Sequence, residues 1–419
     1  MTADPPTPPL VAPFRGERYA AKDRLSALIA PPYDVISPEE RARYAARDLH
    51  NIVHLILPEA PPTEDRYARA AALLAAWRGE GVLKTDAAES VYVVAQDYTL
   101  PAGEVRTRVG MIAAVRAEPF ATRRVRPHEK THSAPKADRL ALLRATRTSL
   151  ESILLVAPDP DRALAQALTR TAVRVPAARA ELDGVRIRMW TVQGEKAAEL
   201  AALAGRAPLY IADGHHRYET AVAYAGDDPR ADRVLSFVVS AGDPGLAILP
   251  THRIIFGAAP SATKLVEEWR TWFNVGRVAP CMDRIERLAE LGRNGTACIV
   301  AFPEVYDVSL TLKPNAPLDR VRELGRTPAV RALDVARIDA LVVRHILGAG
   351  TATPVLAYTP DPRAAFDAVR SGQAAAAVLL NPTKVEQVFA VADAGDVMPP
   401  KSTYFVPKVP SGLVLRPLA

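Results

Sequence analysis

The sequence predicts a mixed α/β (α+β) fold in two lobes, and three observations carry the prediction. Short β-branched runs alternate with alanine- and leucine-rich helical runs through the first 255 residues, the texture then turns more helical, and strand character returns near the end. Apolar residues make up 49% of the 419, enough to bury one large core or two ordinary ones. No internal repeat is evident at periods of about 20 to 50 residues. The expected organisation is an α/β lobe over 1–255, a second mixed, mostly helical lobe over 256–375, and a segment over 376–419 that returns to the first lobe.

In chain order, Ser37-Pro38-Glu39-Glu40 supplies a capping residue, a proline at the first helical position and acids in the first turn, so a helix starts there. Asn51 to Leu57 reads as a strand. Thr63 to Arg78 has helical spacing, stopped by Gly79 and Gly81. Val91 to Leu100 and Arg106 to Val115 flank Pro101-Ala102-Gly103 and read as a hairpin. Further strands are expected at 153–156, 185–192, 209–212, 234–239 and 247–255. Helices are expected at 262–273, 282–291 and 333–347, with a hairpin over 297–312. Strands over 376–380 and 412–416 close the reading.

The two cysteines, Cys281 and Cys298, sit in no CxxC or Cys/His cluster, which excludes a disulfide framework and a zinc ribbon. The proline-rich first ten residues have neither a basic start nor an apolar stretch, so they do not read as a signal peptide. No apolar run approaches the roughly 20 residues that span a bilayer. A cytoplasmic protein without a membrane partner is expected. The net charge is only +6, but between Thr122 and Arg147 eight basic residues face two acidic ones, a local field suited to an anionic ligand. Arg139, Arg144 and Arg147 in that stretch read equally well as a solvated helix face.

Leu209 to Ala212, then Asp213-Gly214-His215-His216-Arg217, then Tyr218-Glu219-Thr220-Ala221 reads as strand, tight turn, helix. Gly214 can adopt the turn's backbone angles, and the helix aims free N–H groups and its positive dipole end at the turn, where an anion would bind. Arg217 adds a planar fork matched to phosphate oxygens and is expected to contribute most to anion binding; His216 adds a donor. Asp213, His215 and Glu219 are the candidate catalytic groups. Asp213 would hold Mg²⁺ or act as base, with Glu219 the alternative base.

Five of the eight histidines fall in three short polar segments, at 128 and 132, 215 and 216, and 252. His128-Glu129-Lys130-Thr131-His132 matches the HExxH pattern of zinc hydrolases, but that motif requires a helix, and Pro127 and Pro135 bracket it here. A basic loop turning His128, Lys130 and Thr131 towards the same anion as Arg217 is the preferred reading. Candidate substrate-binding residues are Asp34 in Pro31-Pro32-Tyr33-Asp34-Val35, Thr251, His252 and Arg253, and Lys401, Ser402 and Thr403 in the proline-fixed segment 398–408. Gly-rich P-loop, Rossmann and Ser-nucleophile patterns are absent.

The blocks at 31–37, 128–131, 213–221, 251–253 and 398–408 resemble the signatures of the domain-of-unknown-function 1015 family across nearly the whole chain. Gly214-His215-His216-Arg217-Tyr218-Glu219 is also similar to the Gly-Cys-His-Arg-Tyr-Glu stretch of sulfiredoxins, which group with ParB and ParB-like free-serine kinases. That likeness implies a ParB/sulfiredoxin-like nucleotide-binding lobe in which His216 and Arg217 hold nucleotide phosphates. His215 replaces the reactive cysteine, which excludes thiol chemistry there.

These residues together imply a nucleotide-dependent phosphotransferase, an enzyme using ATP or ADP and Mg²⁺ on a small hydroxylated metabolite, with free serine favoured by the resemblance. The alternative is a ParB-like nucleotide-switched nucleic-acid-binding protein. It needs a recognition helix or a broad basic face, and the sequence offers neither outside 122–147. Zinc hydrolysis through His128 and His132 is the third reading. A homo-oligomer is left open.

Overall fold

The computed structural model describes residues 8–257, 262–279, 283–303, 306–348 and 355–418. It is mixed α/β, and the chain divides into two compact units, one of Met1–Ala247 with Pro407–Ala419 and one of Ile248–Val406.

The first unit is built on a nine-stranded sheet. Its strands are β1 (Val11–Ala12), β2 (Ser90–Thr99), β3 (Val105–Arg116), β4 (Val125–Arg126), β5 (Ile153–Ala157), β6 (Ala178–Leu182), β7 (Val185–Gln193), β8 (Leu209–Asp213) and β9 (Arg233–Ser240). They run in the order β4-β8-β5-β9-β3-β2-β7-β6, with β1 on β3. The β4–β8 and β5–β9 pairs are parallel and the rest antiparallel. Strands β2 and β3 are buried along most of their length on both faces, which is why they read as continuous apolar runs rather than as alternation.

Helices of this unit include α1 (Pro38–Ala45), α2 (Val53–Ile56), α3 (Arg66–Gly79), α4 (Ser133–Thr146), α5 (Ala163–Ala172), α6 (Gly194–Ala204) and α7 (His215–Asp227). Leu164, Ala167 and Leu168 of α5 and Ala197, Leu200 and Ala201 of α6 join Val93, Met111, Ile153 and Ile211 of the sheet in one apolar core. Ser37 caps α1 through a reciprocal box: Glu40 N–H donates to Ser37 Oγ at 3.2 Å and Ser37 N–H to the Glu40 carboxylate at 2.9 Å.

The strand expected over 51–57 is instead the short helix α2. Asn51 is fully buried; its amide donates to the Ala27 and Ile29 carbonyls and its side-chain oxygen accepts from Val53 N–H, which starts a turn. All-round burial of Ile52, Val53, Leu55 and Ile56 leaves no periodicity by which to tell helix from strand.

The second unit contains a six-stranded sheet. Its strands are β10 (His252–Phe256), β11 (Phe273–Val278), β12 (Ala297–Ala301), β13 (Asp307–Leu312), β14 (Val355–Thr359) and β15 (Ala376–Leu380), in the order β11-β13-β12-β15-β10-β14. The segment expected to return to the first lobe from residue 376 does so only from Pro407, because β15 pairs with β10 and β12. The strand expected over 247–255 is interrupted: Ala247–Leu249 and β10 lie either side of Pro250, which has no N–H for a ladder. The expected 262–273 helix ends at Trp269, and Phe273 opens β11. The 333–347 helix is present but contains a π-helical stretch at Asp339–Val343. Cys281 and Met282 lie outside the described residues. No described helix is long and apolar enough to cross a membrane.

Candidate functional site

Strand β8 ends at Asp213, Gly214 turns with φ +92°, and α7 begins at His215. A Cβ at Gly214 would stand 2.9 Å from Ile153 Cγ2 and 3.1 Å from the Arg217 guanidinium carbon, so both the left-handed angle and the close approach require glycine. The cap position is Gly214 itself, which has no side chain to take up the first N–H groups of α7.

Arg217 folds back under the turn and is buried. One terminal nitrogen donates to the Ser152 carbonyl at 2.6 Å and the other to Asp213 at 2.9 Å, while the buried Nε has no hydrogen-bond partner among the described residues. Burial opposes its charge, but Glu151, Asp34 and Asp213 outweigh it and hold the guanidinium above its ordinary pKa. Beneath it a cavity of about 50 Å³ is lined by Arg139, Glu151 and Arg217 with apolar neighbours. The open phosphate fork expected of Arg217 is thus turned inwards, onto the protein's own carbonyl and carboxylate.

Asp213 is bound on both oxygens, by Arg217 on one and by Lys408 Nζ at 2.7 Å on the other. Burial alone would raise its carboxyl; Lys408 and Arg217 overcome that and hold it well below the usual carboxylate range. A Mg²⁺ ion at Asp213 would share the carboxylate with these two cations and meet their repulsion. Among the described residues no group of three or more His, Cys, Asp or Glu is placed to hold a metal.

The loop carrying His128 to His132 lies along the start of α7 and is not helical. His128 is fully buried, and its Nδ1 donates to the Ile211 carbonyl at 2.7 Å. Its backbone N–H donates to His215 Nε2 at 3.3 Å, and His132 N–H donates to His216 Nε2 at 2.9 Å. His215 therefore carries its ring hydrogen on Nδ1, 3.7 Å from the Glu129 carboxylate. Burial pushes the pKa of His128 down to about 4 and that of His215 well below its ordinary value; burial and His132 also lower His216. These histidines act near pH 7 as neutral acceptors and donors, not as cations.

The zinc-hydrolase reading fails on this geometry. His128 and His132 share no helix face, and each belongs to a different histidine of α7.

Glu219 accepts from Thr131 Oγ1 at 2.9 Å and from Lys136 Nζ at 2.6 Å. Lys130 is exposed. Asp34 is exposed in the turn Tyr33–Val35, and its charge acts on Arg217, His216 and Glu151. The first unit therefore brings together Asp34, His128 to Thr131 and Asp213 to Glu219.

The other expected residues, Thr251 to Arg253 and Lys401 to Thr403, lie in the second unit, where Arg253 joins Thr251 to Lys401. Arg253 is 1% exposed and bidentate to Asp339, with both contacts at 2.8 Å; it also donates to the Thr251 and Lys401 carbonyls. His252 accepts from Leu380 N–H at 3.2 Å, and burial holds its pKa near 4. Lys401 adopts φ +55°, and Ser402 donates to the Pro399 carbonyl at 2.5 Å.

Sequence reasoning missed Lys408, Glu151 and the role of Arg139. Lys408 closes the 398–408 block, which was its only signal. Glu151 is buried, accepts from Tyr33 N–H at 2.9 Å, and is raised above the usual carboxylate range by burial. Arg139 is buried rather than solvated: it lies 4.1 Å over the Tyr33 ring and 3.6 Å from Glu151, whereas Arg144 and Arg147 are each 55% exposed.

Residues 11–336 match the sequence family described as Protein of unknown function (DUF1015). The chain belongs to that family. No curated protein matches this DUF1015 member. Among solved structures, a conserved hypothetical protein from Pyrococcus furiosus is similar at TM-score 0.35 and 14% identity, covering 73% of this chain and 95% of that one. A free serine kinase in complex with AMP is similar at TM-score 0.35 and 15% identity, covering 69% and 89%. SbnI with a C-terminal truncation, from Staphylococcus aureus, is similar at TM-score 0.37 and 12% identity, covering 73% and 87%.

Proposed function

We propose that this DUF1015 member is a phosphotransferase that uses ATP or ADP on a small hydroxylated metabolite, with free serine the first candidate. One observation carries the reading: α7 starts from Gly214, which has no side chain to cap it, and the loop with the exposed Lys130 runs alongside, a helix start that a phosphate group would complete. The choice of serine rests on the likeness of Gly214–Glu219 to the sulfiredoxin stretch and on the grouping of sulfiredoxins with ParB-like free-serine kinases.

The carboxylates divide by partner. Asp213 accepts from Arg217 on one oxygen and from Lys408 on the other, whereas Glu219 takes both Thr131 and Lys136 on Oε2, which leaves its Oε1 as the alternative base. Asp34 is exposed, and we assign it the base. The metabolite hydroxyl gives its proton to Asp34 as its oxygen attacks the terminal phosphorus. The bond to the bridging oxygen breaks, and the shortened nucleotide leaves with that electron pair. Phosphoryl transfer of this kind needs positioning and charge neutralisation more than covalent help. Magnesium would arrive on the nucleotide phosphates rather than at Asp213.

The test incubates the full chain with ATP or ADP, Mg²⁺ and a panel of hydroxy amino acids, with phosphorylated product read by phosphorus NMR. Asp34→Asn is expected to lower turnover about 100-fold or more. Absence of product together with absence of nucleotide binding by calorimetry overturns the reading.

A further inference from the structure

Beside α7 lies a second cavity, of about 370 Å³, walled by Phe120, Tyr218, Leu140 and Val222 and rimmed by Lys136 and Glu219. Phe120 stacks on Tyr218 with centroids 5.3 Å apart and planes inclined by 13°, so the buried Tyr218 ring backs the Phe120 ring, the one of the two that can offer a flat face to the cavity. Tyr218 is fully buried and its hydroxyl donates to the Glu118 carbonyl at 2.8 Å, which fixes the stack; Phe120 is partly exposed.

We propose that this cavity receives the base of the nucleotide whose phosphates meet the start of α7, an inference that rests on the phosphotransferase reading. Three properties select a flat heteroaromatic ring. The wall is aromatic and planar, the surface that every nucleobase can stack on. The lining is mostly apolar, with Glu118, Lys136, Glu219 and Thr220 as its few polar residues, the pattern of a small-molecule site that orients its ligand through a small number of polar groups. The third is position. His216, Glu219, Thr220 and Ala223 recur at i, i+3, i+4 and i+7 and share one face of α7. That face runs from the phosphate end, at His216, to the cavity, at Glu219 to Ala223. Seven residues of helix rise about 10 Å, which matches the reach from a base through its ribose to the phosphates. The Lys136–Glu219 pair lies between, at 2.6 Å, where the ribose hydroxyls would pass.

The experiment compares ATP, ADP, adenosine and tripolyphosphate on the full chain by calorimetry. Ala137 and Ala223 are exposed alanines at the cavity, and Ala137→Trp fills it from the helix surface. The variant is expected to weaken ATP and ADP at least tenfold, to abolish adenosine binding, and to leave tripolyphosphate affinity and thermal stability unchanged. If Ala137→Trp fails to fold, Phe120→Ala, which removes the stacking wall, is expected to give the same split. Unchanged ATP affinity in the folded variant overturns the base site alone, as does an equal loss of tripolyphosphate. A wild-type chain that binds neither nucleotide nor tripolyphosphate overturns the phosphotransferase reading and the base site with it.

Discussion

Arg217 in the first unit and Arg253 in the second come from similar-looking polar motifs, and both are buried, yet they are satisfied to different degrees. Arg253 is bidentate to Asp339, with its remaining terminal nitrogen on the Thr251 and Lys401 carbonyls. Arg217 has one carbonyl, one carboxylate oxygen and a buried Nε without a partner among the described residues. A saturated guanidinium holds a fold together, while an incompletely satisfied one among Asp213, Glu151 and Asp34 is tuned by its surroundings. The difference separates a saturated clamp from a guanidinium at the candidate site.

The largest effect is expected where the clamp is saturated. Arg253→Ala leaves Asp339 and two carbonyls without their donor and should cost about 3 to 5 kcal/mol in denaturant unfolding; a loss below about 1 kcal/mol would erase the contrast with Arg217. Next is a pH effect confined to the first unit. His128 has its pKa depressed in the folded chain to about 4 from an unfolded value near 6.5, so below pH 6.5 the unfolded state binds more protons. Stability should fall as pH drops from about 6.5 to 4, by up to about 3 kcal/mol from this residue. His128→Asn, which keeps a donor for the Ile211 carbonyl, should flatten that part of the profile; an unchanged slope would mean the histidine titrates normally. Asp213 acts lower in the scale, since its depressed carboxyl contributes stability above its unfolded pKa that is lost on further acidification.

Arg217→Lys is expected to cost about 1.5 to 3 kcal/mol, because lysine cannot span both Ser152 O and Asp213. This replaces the sequence-based view of Arg217 as chiefly an anion fork. If stability is untouched while nucleotide affinity drops tenfold, that view returns. The smallest effect is at the rim: Lys136→Ala removes a partly exposed pair with Glu219 and should change stability by about 1 kcal/mol or less. Thermal melts in low and high salt would check it.

The legible parts of the fold were those with local physical signatures. Ser37 to Glu40 announced a capped helix, and the apolar runs around Pro101-Ala102-Gly103 announced the central hairpin. The 51–57 segment was not legible, because its helix depends on the Asn51 amide reaching Ala27 and Ile29, contacts that no window contains. The site followed the same rule. Asp213-Gly214-His215 declared a strand–turn–helix, since Gly214 must take a positive φ there. Direction was hidden, however: nothing in the string says that Arg217 points in, or that Asp213 is already occupied by a lysine 195 residues later. Arg139 misled for a related reason, since a basic residue on a helix is usually solvated, and only Glu151 and Tyr33 make its burial tolerable.

That lysine has a consequence for how the chain is made. Residues 248–406 form the other unit and are synthesised between Asp213 and its partner. At translation rates of roughly 5 to 20 residues per second, the strand bearing Asp213 precedes Lys408 by roughly 10 to 40 s. Throughout that interval the Asp213 carboxylate has only Arg217 to neutralise it. Gln96, which donates to the Lys408 carbonyl at 3.0 Å, waits on β2 for the same arrival. The turn at Gly214 is thus assembled in two instalments, and a ribosome stalled inside the second unit would display it half-made.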